Sequence, residues 1–245
     1  MQARYLTVFM PRHTSPTRRP STVDSPAERP RDEATGRAAQ SRTTLLATAE
    51  RLFAEHGIVA VSNRQISEAA GQGNNSAVGY HFGTKLDLVQ AVARRHTDDI
   101  DHRREEMAVR AAGSTDVRDW VDCMVRPTTD HLDSLEQPTW YGRFVAQLIT
   151  DPALTEVVQQ EALETRSLQR VLEGLERCRP DLPADVRIER DDMARQLIVH
   201  TVADRERALA NGRPTPRTTW SAAATGLVDA ITGLWLAPWT SSDES

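Results

Sequence analysis

At 245 residues the chain has room for one large domain, or for a small one joined to a medium one. Its composition, 39% apolar and 27% charged, is that of a globular protein, and its longest apolar stretch, residues 226–237, is shorter than the ~20 residues a membrane span needs. The formal net charge of −5 neither supports nor excludes nucleic acid as a partner, because it is unevenly spread.

Residues 1–40 carry seven arginines against four acids, residues 41–104 are close to balance, and the rest of the chain is strongly acidic. An acidic body behind a near-neutral head can still hold DNA if the head's basic groups converge on one face. Cys123 and Cys178 give neither a zinc spacing nor a disulfide framework, which points to reduced thiols in a cytoplasmic protein. No signal peptide is legible at the start. Residues 1–40 are rich in Pro, Ser, Thr and Arg and are read as a disordered extension.

The first helix is expected over about Gly36–His56. Leu45, Leu46, Ala49, Leu52 and Phe53 form one apolar stripe, and Gly57 follows as the terminating residue. Ser62 and Gln65 have the form of a capping box, so a second helix starts at Asn63 and turns Asn63 and Arg64 outward. Gly71 ends it, and Asn74 or Asn75 caps a third helix through Phe82. Val78 and Phe82 sit four apart and are expected inward. Ser76, Ala77 and Gly79 are small enough for close approach to base edges, with Asn74, Asn75 and Ser76 as hydrogen-bonding groups. Tyr80 and His81 stand at the exit, where a hydroxyl and an imidazole N–H suit phosphate oxygens. Thr84 to Asp87 opens the fourth helix in capping-box style. Lys85, the single lysine of the chain, stands at that N-terminus, where a cation opposes the dipole; a phosphate contact is the expected reason.

The order of these features resembles the DNA-binding domain of the tetracycline-repressor (TetR) family of bacterial regulators. The likeness covers about residues 41–90. It rests on the first helix closed by His56-Gly57, then Ile66 and Ala69-Ala70-Gly71, then Tyr80-His81-Phe82 and Lys85. One departure is the turn from Gly71 to Asn75, a residue longer than is usual in that family. The candidate DNA contacts are Thr43, Thr44, Asn63, Arg64, Gln65, Asn74, Asn75, Ser76, Gly79, Tyr80, His81 and Lys85.

The fourth helix is expected to run to about Ala111 and, past Thr97, to turn into a solvated linker between head and body. The body, residues 91–240, reads as helices only. They cover about Asp116–Leu135, Thr139–Thr150 capped by Thr139, Asp151–Arg179, Ile188–Ala210 and Thr218–Leu236. The chain is therefore all-α, a helix-turn-helix head joined by a long helix to a larger helical body. Trp120, Met124, His131, Trp140, Tyr141, Phe144, Leu148 and His200 are the candidate lining of an apolar pocket; plain core packing is the competing reading for each. The resemblance implies an effector pocket in these helices. It also implies a four-helix interface between two copies, for which Leu197, Ala223, Leu227, Ile231 and Leu234 supply an apolar face.

No catalytic motif, dinucleotide fingerprint or metal-ligand spacing is present, so no enzyme, cofactor or metal is expected. The reading is a homodimeric repressor released from a palindromic operator by an unidentified, largely apolar effector. Two alternatives remain: a regulator without effector control that acts through protein partners, and a helical small-molecule-binding protein.

Overall fold

The computed structural model describes residues 29–240 apart from 75, 153 and 156–164, with side chains from residue 36 onward. By contacts, the described residues divide after Ala38, and those from Ala39 onward form the second unit. Among the described residues all regular structure is helical: α1 Arg29–His56, α2 Asn63–Ala69, α3 Ala77–Phe82, α4 Lys85–Arg110, α5 Val117–Ser134, α6 Tyr141–Leu148, α7 Arg166–Cys178, α8 Ala184–Ala210 and α9 Trp220–Leu236.

The helix starts of the head follow from local chemistry. At α2 the Ser62 N–H donates to Gln65 Oε1 at 2.8 Å, while the Gln65 N–H donates back to Ser62 Oγ. At α4 the Thr84 N–H donates to Asp87 Oδ2 at 2.8 Å, and the Asp87 N–H donates to Thr84 Oγ1 at 3.1 Å. Each box satisfies two N–H groups that the helix itself leaves unpaired. Between α1 and α2 the chain turns at Gly57, whose φ of +87° is a conformation that side chains with a Cβ avoid. The first helix starts at Arg29, earlier than Gly36, and so takes in residues 29–40 of the stretch read as an extension. Its early turns, RPRDEATGRAAQ, open with a proline near the start, where the missing N–H costs nothing, and carry Ala, Arg, Glu and Gln, which favour a helix. Residues 1–28 lie outside the described residues.

Two hydrophobic cores hold the second unit. The first joins Leu45, Ala49 and Phe53 of α1 to Ile66, Val78 and Leu88 of the head, and also to Tyr141, Phe144 and Leu148 of α6. The Phe53 and Phe144 rings stack with centroids 6.2 Å apart. The second lies wholly in the body: Trp120 and Val121 of α5 with Val171 and Leu175 of α7, and Leu227, Val228, Ile231 and Trp235 of α9.

Three expectations for the body are corrected. The stretch past Thr97 is not a solvated linker: Ile100 and Ala108 are buried, and α4 packs on α5 and α7. Asp98, His102 and Glu106 stay exposed, but Glu105 pairs with Arg170 of α7 at 2.8 Å, and Arg104 pairs with Asp101 within α4. Thr139 does not cap α6. Glu206 of α8 does so from outside, accepting the N–H groups of Gly142 and Arg143 at 3.2 and 2.8 Å. This works because Gly142 lets α8 come close; a Cβ there would meet Val202 at 2.8 Å. The single helix expected over Asp151–Arg179 is broken at Thr165, whose extended backbone (φ −73°, ψ 135°) precedes α7, Arg166–Cys178; the described remainder is the Asp151 end. There Asp151 accepts the Leu154 N–H on its carboxylate, at 3.4 Å, and the Thr155 N–H on its carbonyl, at 2.9 Å.

Trp120 is almost wholly buried, with its indole N–H donating to the Ser114 carbonyl at 3.2 Å and its ring against Gly174 of α7. A Cβ at 174 would stand 2.2 Å from the ring. Helix propensity alone would favour Ala over Gly by about 1 kcal/mol, but a buried indole cannot yield as a flexible chain end does. Gly174→Ala is therefore expected to lower stability by about 1–2 kcal/mol net, read as a lower urea midpoint with unchanged slope. A higher midpoint would mean that Trp120 moves freely off α7.

Candidate nucleic-acid interface

The head presents α3 as a short helix with two unlike faces. Ala77 and Val78 are buried beneath it, while Ser76, Gly79 and Tyr80 are exposed above. Tyr80 is 83% exposed, an unusual position for so large a ring, and it meets the His81 ring edge-on at 5.0 Å. Ala77, expected to face bases, instead helps seat the helix in the first core. Phe82 packs against that core from its edge and carries the Arg42 guanidinium over its ring at 4.5 Å. Asn74 accepts the Ser76 N–H on its side-chain oxygen at 2.9 Å, which shapes the entry to α3. Asn75 lies outside the described residues.

At α2, Arg64 is exposed and pairs with Glu68 one turn on, which raises its pKa through the hydrogen bond first and the charge second. Asn63 is half-buried at the first position of α2. Gln65 is exposed, with its amide oxygen already engaged by Ser62.

Lys85 has a structural task that its position in the sequence does not reveal. Its ammonium donates to the carbonyls of Val61 at 2.7 Å and Val59 at 3.2 Å, above the Phe53 ring. It thereby ties the start of α4 to the α1–α2 loop, and partial burial lowers its pKa. Thr43 and Thr44 donate their hydroxyls to the carbonyls one turn back, Ala39 and Gln40. Both threonines line a cleft together with His131 and Trp140 of the body.

That cleft, of about 700 Å³, opens between α1, α4 and the α5–α6 connection. Its walls include Glu50 of α1 and His96 of α4, both buried residues. His96 had no role in the sequence reading, yet Val89, Val92, Ala93, His96 and Ile100 are all buried on one stripe of α4. That stripe is a legible signal that His96 faces inward.

The eight candidate pocket residues do not converge. His131 and Trp140 line the cleft, and Tyr141 borders a separate cavity of about 110 Å³ with Ile198 and Val202. Phe144 and Leu148 are buried in the first core. Trp120 fills the second core, Met124 packs against it, and His200 is exposed on α8. Among the proposed interface residues, Leu197 is exposed and lines an opening of about 540 Å³ between α8 and α9, with Ala223 and Leu227. Leu234 is half-buried. Ile231 and Leu227 are corrected to core packing within the subunit: Ile231 is wholly buried in the second core, and Leu227 is buried there with only an edge on that opening.

Two family models match the chain: that of the bacterial regulatory proteins, tetR family, at residues 45–92, and that of the tetracyclin repressor-like C-terminal domain at residues 122–233. The chain is 31% identical over 155 residues to the HTH-type transcriptional repressor AcnR of Corynebacterium efficiens, covering 60% of this chain and 73% of that protein. It is also 31% identical over 105 residues to the HTH-type transcriptional repressor KstR2 of Rhodococcus jostii, covering 43% of this chain and 49% of that one. A crystal structure of the probable transcriptional regulatory protein RHA5900 superimposes with a TM-score of 0.49 at 23% identity, covering 80% of this chain and all of the other. With both matched models falling on the head and the body described above, the chain belongs to the tetR family of bacterial regulatory proteins and is a DNA-binding transcription regulator, not an enzyme.

Proposed function

We propose that the protein is a homodimeric, cytoplasmic repressor that lays α3 of each subunit in a major groove of a twofold-symmetric operator. The division of labour is a head at residues 41–90 and a body at residues 91–240 that binds effector and partner subunit. The observation that carries the reading is the outer face of α3. Small residues at Ser76 and Gly79 leave room for base edges, and the exposed Tyr80 has a hydroxyl free to meet a phosphate. The repressor assignment is supported by AcnR and KstR2, each of which is named a transcriptional repressor.

Dimerisation is supported by α8 and α9. Met193 and Leu197 are exposed large apolar residues one turn apart on α8, and the opening beside Leu197 is lined by Ala223, Gly226 and Ala230. Such a strip of small and large residues is what a second copy would cover. For the effector, the cleft bordered by His131 and Trp140 has a volume within the range of small-molecule sites. A ligand there would act on the head through α1, by binding better to a conformer whose heads are wrongly spaced.

Selection from a random duplex pool at near-physiological salt tests the reading. A twofold-symmetric enriched site is expected, with half-sites about one helical turn, ~10 base pairs, apart. Recovery of no preferred sequence by the folded dimer would defeat it. On that site, Tyr80→Ala is expected to weaken binding to all sequences alike, whereas Ser76→Ala changes which sequence is preferred.

Lys85 separates two roles in the same assay. As a tie between α4 and the α1–α2 loop, its replacement in Lys85→Met should lower stability by roughly 1–2 kcal/mol, since two charge-assisted hydrogen bonds are lost at a half-exposed position. The salt dependence of DNA binding should stay as it was. Unchanged stability with a salt slope reduced by about one unit would instead make Lys85 a phosphate contact.

A further inference from the structure

Four side chains form one hydrogen-bonded line through the junction of head and body. Glu50 of α1 meets His96 Nε2 at 3.0 Å, His96 Nδ1 meets His131 Nε2 of α5 at 2.8 Å, and His131 Nδ1 meets Asp99 of α4 at 2.7 Å. Glu50, His96 and His131 are all about 95% buried. Each carboxylate also faces an arginine: Arg95 Nη1 lies 3.2 Å from Glu50, and Arg103 Nε lies 2.7 Å from Asp99.

Counting protons along the line gives a constraint. Arg103, with His131 behind it, holds the Asp99 carboxyl below its usual range, and an ionised carboxylate can only accept. With a carboxylate at each end of the line, each facing an arginine, His96 donates from Nε2 and His131 from Nδ1. The facing pair, His96 Nδ1 and His131 Nε2, then holds no hydrogen if both rings are neutral. Two bare lone pairs at 2.8 Å repel. One added proton turns the contact into an N–H···N hydrogen bond; a second would set two N–H groups head to head. The junction therefore needs one extra proton, neither none nor two.

The surrounding groups fit that count. Burial, the largest effect, and the charge at His96 hold the His131 pKa below its ordinary value, against the pull of Asp99, so the second proton is disfavoured. Tyr141 of α6 stacks on His96 at 4.3 Å, and burial pushes its hydroxyl up to about 12, so it neither gives nor takes a proton near neutrality. Arg104 and Asp101 of α4 oppose each other in their effect on that hydroxyl, and they pair with one another. Asp130 of α5 has its pKa raised by burial, and Arg51 of α1 is engaged by Glu55. Because both imidazoles border the open cleft, protons reach them without unfolding.

We propose that the Glu50–His96–His131–Asp99 line is a one-proton clasp between the DNA-binding head and the body, which makes pH a second input to the regulator. The link to DNA rests on the repressor reading above; the clasp itself does not. With the clasp closed, α1 and hence α3 are held at one setting against the body, and operator binding is strongest. Raising the pH removes the shared proton and opens it. The acid side follows from His131: a lowered folded pKa stabilises above the ordinary imidazole value, ~6.5, and that stabilisation is lost as the pH falls through the lowered value. Affinity is therefore bell-shaped in pH, with the acid limb below ~6.5.

The test uses the full chain labelled with 15N-histidine. Imidazole nitrogen spectra from pH 5 to 9 are expected to show, near neutrality, a buried pair holding three ring protons between them, with one lost in a single alkaline step. Two neutral rings at pH 7 would overturn the clasp. Affinity for the duplex recovered from the random pool is then measured at fixed ionic strength. It should fall on the alkaline side by at most about tenfold per pH unit for each subunit, the limit for one linked proton.

Glu50→Gln keeps an acceptor for His96 but removes its negative charge, so the alkaline limb should move to lower pH; a purely structural Glu50 would lower affinity without moving the limb. Asp99→Asn, at a half-exposed position that tolerates change, should shift it the same way. Limbs that stay in place in both variants would assign the pH dependence to another group, such as His81, and defeat the proposal. A chain that binds no DNA but shows the three-proton pair would sink the repressor reading and leave the clasp standing. A pair present while DNA affinity ignores pH would sink the regulatory link.

Discussion

The first helix belongs to two structures at once, and the rest of the molecule is arranged around that double membership. Leu45, Ala49 and Phe53 pack with Ile66, Val78 and Leu88 to make the head, and the same stripe reaches α6 through the stacked pair Phe53 and Phe144. A close-packed interior transmits displacement, because its side chains cannot slide past one another without opening voids. A shift of α6 is therefore felt at α1 and, through Val78, at the base of α3. The polar line from Glu50 to Asp99 runs through the same junction, so the apolar and the hydrogen-bonded links couple the same helices.

These two links behave differently. The apolar link has no titratable part and no directional requirement beyond shape. The polar one is costly unless complete: a buried group left without its partner loses about 1–3 kcal/mol, more when charged. Satisfied, such a network selects a single relation between the helices; broken at one bond, it favours another. Glu206 does for α6 what Glu50 does for α4. Its buried carboxylate accepts two backbone N–H groups at the start of α6 and meets Arg143 at 3.2 Å, fixing α6 on α8. Two buried glutamates from two long helices thus set the position of the elements between head and body.

What could be read from sequence divides along physical lines. The head was legible because its signals are local: Ser62 with Gln65 and Thr84 with Asp87 each lie within one turn of helix, as does the Gly57 stop. Polar residues with remote partners were not. Lys85 reads as a lone surface cation, yet its partners are the carbonyls of Val59 and Val61, far back in the chain. Thr139 reads as a cap, yet the true cap is Glu206, more than sixty residues on. The stretch DDIDHRREE reads as solvated because nothing local shows that one flank packs on other helices, where Glu105 meets Arg170 of α7. Composition places a charge on the surface; a complementary charge from a distant element can bring it inside.

The scattering of the aromatic candidates has the same origin. Trp120 on α5 goes to the second core, whereas Tyr141 and Phe144 on α6, on the far side of the α5–α6 connection, share the first, with Tyr141 also bordering the small cavity. Trp120 is fixed by the absence of a side chain at Gly174, and the approach of α8 to Tyr141 by the absence of one at Gly142. Glycines inside helices are unfavourable in themselves, so their presence at two helix–helix contacts means that close approach outweighs propensity there. That closeness leaves only a small cavity beside Tyr141, whereas the larger opening lies where α1 meets the α5–α6 connection. A ligand that enters there touches the head's own first helix. It need not deform the whole body to reach α3, since Glu50, Phe53 and Val78 already form the path.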